Sequence, residues 1–131
     1  KNLGFDVNQY GIALQSAVWS RSVQHGATGG YNVIERAFTS IGGFSGKSEA
    51  DLIRAIYAES GAVVSTPPSD SAIPMTSAGA EQNGIYGMYM KYYSRNSSSV
   101  QYGVWLRLNV NELNTLLNLI NDPPVDITPQ V

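Results

Sequence analysis

The carboxylate side chains of this sequence are its first candidates for chemistry. Two carboxyl groups hydrolyse a glycosidic bond when one acts as an acid and the other as a base, nucleophile or stabiliser. Glu59 ends a predicted helix directly before a long loop, which favours it as a catalytic residue, and Glu35 is the second candidate. Asp70 and Glu81 lie in the loop and could supply the partner carboxylate. The alternative for each is a solvated surface carboxylate.

Aromatic side chains mixed with polar ones form the second candidate set. Three segments have this composition: VWSRSVQHG, AIYAESG and YYSRNSSSVQYGVWLRL. Because rings surrounded by hydrogen-bonding groups suit sugars, the sequence predicts a carbohydrate groove. The candidate substrate-binding residues are Trp19, Gln24, His25, Tyr57, Tyr86, Tyr89, Tyr92 and Trp105. For any single ring, burial in the core is the alternative.

His25 is the only histidine, and the sequence contains no cysteine. A disulfide and a thiolate nucleophile are therefore excluded, and neither a metal site nor a cofactor is expected. His25 lies at the predicted C-terminus of the first helix, where the helix dipole favours a protonated imidazole and a capping contact can hold it. A structural cap is the alternative to a role in binding substrate.

Apolar spacing assigns most of these residues to helices. The predicted helices span residues 8–24, 31–41, 49–60 and 100–121. Asn8 and Ser48 are the expected N-caps of the first and third helices, and Gly26 and Gly61 are their expected ends. The first helix is apolar on more than one face, which is typical of a helix surrounded by others. The predicted fold class is mainly α, with about five helices around this central apolar helix.

Two segments of the chain depart from the helical pattern. Residues 62–83 contain three prolines and many small polar residues, which predicts a long loop of functional or mobile character. The Tyr-rich segment 84–95 is expected to be a short helix or strand. Prolines 123 and 124 end the predicted fold, so residues 1–122 form one domain and residues 123–131 a Pro-rich C-terminal tail or linker.

The length, charge and apolar pattern of the chain argue against two classes of partner. The 131 residues suit a single domain, and 14% of them are charged, with a formal net charge of −2. Nucleic acid is not an expected partner, because binding it requires clustered Lys and Arg. A membrane is not expected either, since no apolar run reaches the roughly 20 residues of a spanning helix.

Three strings in the sequence resemble a known family. They are ALQSAVWSRSVQHGATGG, DLIRAIYAES and YYSRNSSSVQYGVWLRLNVNEL. Together they are similar to the C-terminal half of lysozyme-like or chitosanase-like domains, which occur in phage endolysins, clostridial cell-wall hydrolases and type VI secretion spike effectors. The similarity covers most of residues 5–121, and its most specific part is the WSxxVQHG string at residues 19–26.

The resemblance implies a lysozyme-like helical domain that cleaves peptidoglycan glycan strands, in an extracellular or cell-wall-associated location. The residues that match the family's signature are Trp19, Ser20, Gln24 and His25. Glu59 matches its IYxE position, although the family carries Arg where this chain has Ser60. Family members also have a Gly- and Tyr-rich segment before the position of residue 1, and an early helix commonly supplies the catalytic acid in lysozyme-like folds.

Three hypotheses for function follow. The first is a peptidoglycan glycosidase that uses carboxylate acid/base catalysis. The second is a non-catalytic wall-binding module, or a fragment whose active site is completed by an upstream segment or a second chain; the start at Lys1, without an initiator Met, motivates it. The third is a purely structural domain of a phage tail or secretion spike, which would oligomerise and neither bind nor lyse cell walls.

Overall fold

The computed structural model of the chain describes residues 5–121 and is mainly helical, as the sequence predicts. The helices are α1 (Ile12–Ser40), α2 (Glu49–Ser60), α3 (Ala78–Gln82), α4 (Ser98–Leu106) and α5 (Glu112–Asn121). A 3-10 turn (Val7–Gln9) precedes α1, and a π-helical turn (Arg107–Asn111) joins α4 to α5. Two short antiparallel strands, β1 (Val63–Val64) and β2 (Tyr89–Met90), pair with each other. The predicted tail, 123–131, lies outside the described residues.

The start of α1 differs from the prediction. The helix begins at Ile12, whereas Asn8 lies within the 3-10 turn and donates its backbone N–H to the Asp6 carboxylate at 3.0 Å. The predicted cap at Asn8 is therefore wrong. The competing local signal is Asp6, an equally good capping residue two positions earlier that begins a shorter turn of its own.

The segment HGATGG bends α1 without ending it. Gly26 has φ +80°, in the region that favours glycine, so regular helical winding stops at the predicted residue, but the helix resumes after it instead of ending there as expected. Residues 27–40 nevertheless continue as helix, and the two halves of α1 approach closely at the bend. A Cβ at Gly30 would lie 2.9 Å from the Cα of Ser22, so a residue without a side chain is needed there. The second half therefore begins earlier than the predicted residue 31.

The packing of α1 against α2 forms the centre of the core. Leu14 and Ala17 of α1 meet Leu52, Ile53 and Ile56 of α2, and all five are fully buried. The two helices make the most extensive contact of any pair of elements in the described residues.

The opposite face of α1 is not covered by any of residues 5–121. Ile12, Trp19 and Val23 are 66%, 69% and 64% exposed, and their spacing places them on one stripe of the helix. The expectation that the first helix is surrounded on all sides is therefore wrong for the part of the chain that is described. Its apolar residues on a second face point outward.

Ser48 and Gly61 bound α2 as predicted. The Ser48 hydroxyl accepts the backbone N–H of Asp51 at 3.1 Å, and Gly61 follows the last helical residue. The φ of Gly61 is −98°, so the reason for glycine here is space. A Cβ at Gly61 would lie 2.6 Å from Asn109 Nδ2 and 3.1 Å from Leu108 Cβ. The end of α2 therefore fits against the π-helical turn only without a side chain.

The predicted long loop is held in place by regular structure and by one buried glutamine. Residues 62–83 contain β1 and α3, and the Tyr-rich segment forms β2, so only part of the region is irregular. Gln101 is fully buried and binds the backbone on both sides. Its amide donates to the Ile73 and Asn96 carbonyls, and its oxygen accepts the Met90 N–H at 3.0 Å. The loop is thereby anchored to α4.

The π-helical turn aligns two charged residues. The backbone N–H of Glu112 bonds to the carbonyl of Arg107, five residues earlier. In an α-helix, residues five apart point in different directions, whereas i→i+5 bonding stacks them on one side. Arg107 and Glu112 both face α1 as a result, and the Arg107 Nε lies 3.2 Å from the Glu112 carboxylate.

We expect Gly61→Ala to destabilise the protein by about 1–3 kcal/mol, because the added methyl group overlaps the Asn109 amide and overpacking costs energies of this size. Urea unfolding followed by circular dichroism measures the change. Gly103→Ala is the matched control, since a Cβ there meets no atom within 4 Å. Equal midpoints for the Gly61→Ala variant and the parent would contradict the close contact.

Candidate functional site

A fully buried arginine organises the junction of α1, α2 and α5. Arg21, on α1, is 0% exposed. Its guanidinium donates to Ser60 Oγ at 2.7 Å and to Ser20 Oγ at 3.1 Å, and it lies 3.4 Å from the Glu112 carboxylate. It also lies 5.1 Å from the centre of the Tyr57 ring. A buried cation requires such partners, because desolvation costs several kcal/mol.

Glu112 is the counter-ion of this cluster. One carboxylate oxygen accepts hydrogen bonds from Ser20 at 2.8 Å and from the Tyr57 hydroxyl, while the other faces Arg107. Burial alone would raise the pKa of Glu112, but the hydrogen bonds from Tyr57 and Ser20 and the charge of Arg21 outweigh it and lower the pKa. Burial and the bond to Glu112 raise the pKa of Tyr57. The carboxylate is therefore ionised, and each of its oxygens faces a donor of the protein.

His25 is a neutral member of the same junction. Its Nε2 lies 2.9 Å from Ser60 Oγ and 3.3 Å from the Tyr93 hydroxyl. Burial, together with the charges of Arg21 and Arg107, lowers its pKa to about 4. The expectation of a protonated, helix-capping histidine is therefore wrong, since burial and the charge of Arg21, 3.4 Å away, together outweigh the helix dipole.

The Ser60–His25 pair has the spacing of a nucleophile and its base. Ser60, however, is fully buried, and its hydroxyl oxygen accepts from Arg21. A substrate carbonyl has no access to it. The pair serves to hold the end of α2 against α1.

A second polar cluster surrounds Glu59 at the protein surface. Its Oε2 accepts hydrogen bonds from Lys91 Nζ at 2.5 Å and from the Tyr92 hydroxyl. The Arg36 guanidinium donates to the same Tyr92 hydroxyl at 3.0 Å. Burial would raise the pKa of Glu59, but the bonds from Lys91 and Tyr92 and the nearby charges lower it. Glu59 is therefore an ionised carboxylate with a fixed orientation.

A groove adjoins this cluster, and we call it the Lys91 groove. It consists of two neighbouring cavities that share Pro68 and Lys91. The first, of about 620 Å³, is lined by residues 63–68, Met88 and Lys91. The second, of about 430 Å³, is lined by Pro68, Ser69 and residues 91–96. Both openings are on the surface, so an extended ligand can enter.

The structure brings together only some of the predicted site residues. His25, Glu59 and Tyr92 are neighbours: the His25 and Tyr92 rings lie 5.5 Å apart, and Tyr92 binds Glu59. Trp19 precedes His25 by six residues on α1, and at 3.6 residues per turn its side chain points about 120° away. Glu35 lines a different cavity, with Phe38, Thr39, Gly42, Gly43 and Phe44.

The remaining predicted residues have separate environments. Tyr57 is fully buried against Arg21 and Glu112, so its ring presents no surface to a ligand. Gln24 is exposed and accepts a 2.6 Å hydrogen bond from Arg107. Tyr89 lies in β2 and is partly exposed.

Sequence reasoning missed four charged residues of the two clusters: Arg21, Arg36, Lys91 and Glu112. One signal was available for Arg21, which follows Leu14 by seven residues and Ala17 by four. This register places a charge on the core face of the helix and predicts a buried cation. The other three interact with residues far away in sequence, and no local pattern identifies them.

Among residues 5–121, no three His, Asp or Glu side chains converge closely enough to hold a metal ion. Within the same residues, no helix combines the length and apolar character that crossing a membrane requires.

Removal of Glu112 alone should lower the free energy of unfolding more than removal of Glu112 together with Arg21. We expect Glu112→Ala to destabilise the protein by about 3 kcal/mol, because it leaves the Arg21 charge buried without a carboxylate. The double variant Arg21→Met, Glu112→Ala should recover part of that loss. Urea unfolding of parent, single and double variants measures both, and a double variant less stable than Glu112→Ala would contradict a buried charge as the cause.

The lowered pKa of His25 predicts a loss of stability in mild acid. Between about pH 6.5 and 4 the unfolded chain binds a proton at His25 that the folded protein does not, so stability falls as the pH falls through this range. We expect about 1 kcal/mol less stability at pH 5 than at pH 7, after allowance for solvent screening.

Urea unfolding at the two pH values tests this, with His25→Gln as the control. Glu59 and Glu112 lose their stabilising contribution only below their ordinary pKa of 4.5, so they affect the comparison little. An unchanged pH dependence in the His25→Gln variant would assign the effect to other groups.

Comparison with known protein families shows a similarity. The family model for the type VI secretion system spike protein VgrG3-like, C-terminal, matches residues 1–80. No curated protein and no solved structure matches the chain. The matched residues include all of α1 and α2, with His25 and Glu59, and they make up more than half of the chain. The chain therefore belongs to the type VI secretion system spike protein VgrG3-like C-terminal family.

Proposed function

We propose that this domain acts on the glycan strands of bacterial peptidoglycan as a glycosidase in which Glu59 is the ionised carboxylate. The observation that carries the proposal is the position of Glu59 beside the Lys91 groove, 15% exposed and held by Lys91 and Tyr92. Membership of a secretion spike family supports a target outside the producing cell, with an extracellular or wall-associated location. The sequence resemblance to lysozyme-like domains supports the same substrate.

The lowered pKa of Glu59 argues against the role of general acid. A general acid must be protonated at neutral pH, which requires a raised pKa. Glu59 instead suits the base, the nucleophile or the stabiliser of positive charge on the sugar ring. Lys91 and Tyr92 fix its orientation, and the Arg36 bond to the Tyr92 hydroxyl in turn fixes Tyr92. Glu35 lines a different cavity from the Lys91 groove, and its role as the second carboxylate stays a prediction.

A second candidate function is wall binding without cleavage. It is favoured by the ion pair itself: Glu59 and Lys91 neutralise each other, and such a pair can hold a groove wall in shape without taking part in catalysis. The exposed Trp19 ring on α1 offers an apolar face for a sugar on another surface of the domain. Retention on insoluble peptidoglycan without release of reducing sugar would support this function over the first.

We expect Glu59→Gln to reduce lysis of purified cell walls by about 100-fold or more, because the amide cannot act as base, nucleophile or counter-charge. A turbidity assay measures lysis. Asp51→Asn is the matched control, since Asp51 is an exposed carboxylate of the same helix, α2, and does not line the groove, so this variant should lyse walls as the parent does. Equal lysis by the Glu59→Gln variant and the parent would remove Glu59 from the mechanism.

A further inference from the structure

The walls of the Lys91 groove carry more positive than negative charge. Lys91 and Arg95 line its second cavity, and Arg36 reaches the same wall through its bond to the Tyr92 hydroxyl. Glu59 is the carboxylate bonded within this wall, and it pairs with Lys91. Asp70 follows Ser69 in the loop and is exposed.

Two of the three cations have no carboxylate partner in the described residues. Across residues 5–121, the ion pairs within 4 Å involve Arg21, Arg54, Lys91 and Arg107 as cations. Neither Arg36 nor Arg95 is among them, and both side chains are exposed. Guanidinium groups bind carboxylates through paired, charge-assisted hydrogen bonds, so this wall is suited to an anion.

The neighbouring cavity is more apolar, with Lys91 as its one charged lining residue. Val63, Val64, Pro67 and Met88 line it, together with Pro68 at the boundary. A ligand that fills both cavities must therefore combine small apolar groups with negative charge. N-acetylglucosamine is neutral, and the lactyl carboxyl group of N-acetylmuramic acid is an amide wherever a peptide is attached, whereas the short peptides themselves carry both alanine side chains and free carboxylates.

We propose that the Lys91 groove binds the carboxylate-bearing peptide stem of peptidoglycan, with Arg95 and Arg36 as the groups that contact the carboxylate. This inference rests on the proposed function, since it takes peptidoglycan as the substrate. Binding of the peptide stem makes the domain selective for glycan that still carries its peptides. Glu59 then lies at the boundary between the sugar chain and the peptide.

The test compares two ligands of the same sugar sequence. Calorimetry measures binding of a purified disaccharide–peptide and of the same disaccharide after enzymatic removal of the peptide and amidation of the lactyl carboxyl group that this removal exposes. We expect the peptide-bearing ligand to bind about tenfold more tightly to the parent, and Arg95→Gln to abolish that difference. The difference should also shrink as salt is raised, because the charges are exposed.

Arg54→Gln is the matched control, since Arg54 is an exposed arginine of α2 that does not line the groove. It should keep the parental preference. Equal affinity of the parent for the two ligands would overturn the inference while leaving glycan binding intact. Failure of both ligands to bind would contradict the proposed function as well. Tighter binding of a phosphate-rich wall polymer than of the disaccharide–peptide would also overturn the assignment of a carboxylate.

Discussion

The burial of the Arg21 guanidinium is the constraint on which the arrangement of the helices depends. A cation removed from water must be surrounded by acceptors, and those acceptors come from three elements: Ser20 on α1, Ser60 at the end of α2, and Glu112 on α5. Each of the three elements is thereby fixed relative to the others. The apolar contact between α1 and α2 is the most extensive in the described residues, but it does not by itself determine how α5 docks.

Burial, together with the charge of Arg21, gives the two polar clusters different chemical character. His25, beside Arg21, is kept neutral, and Glu112 is ionised with both of its oxygens facing protein donors. Glu59 is ionised as well, but its partners Lys91 and Tyr92 lie beside an open groove. The inner cluster therefore supports the fold, and the outer one is available for a ligand. The sequence places His25 and Glu59 in similar contexts at helix ends, yet their surroundings differ in this way.

Local rules predicted much of the fold because the features concerned are local. Ser48 caps α2, Gly26 interrupts α1, and the apolar spacing of α2 identifies its buried face. The error at Asn8 arose where two capping residues lie close together. Gly30 and Gly61 are glycines because atoms of Ser22 and Asn109, respectively, would lie within 3 Å of a Cβ there, and neither contact is encoded in the adjacent residues.

The candidate site was less predictable because its side chains interact with residues that are not adjacent in the sequence. Glu59, His25 and Tyr92 were identified as individual residues, and they do lie together. Their charges and partners, however, depend on Arg21, Arg36 and Lys91, which contact them across separations of 4 to 56 residues. Trp19 and Tyr57 match the composition of a sugar site equally well. Trp19, however, points away from His25, and Tyr57 is buried.

The π-helical turn makes the length of one segment as important as its composition. An i→i+5 turn holds one residue more than an α-helical turn, so loss of a single residue between 107 and 111 would allow regular α-helix from α4 to α5. Each residue turns an α-helix by about 100°, so after such a loss the Glu112 carboxylate would follow Arg107 by four residues and still lie within about 40° of it. Regular α-helical winding at the present length would instead turn the carboxylate about 140° away from Arg107, so the Arg107–Glu112 pair requires either the π-helical turn or a segment one residue shorter.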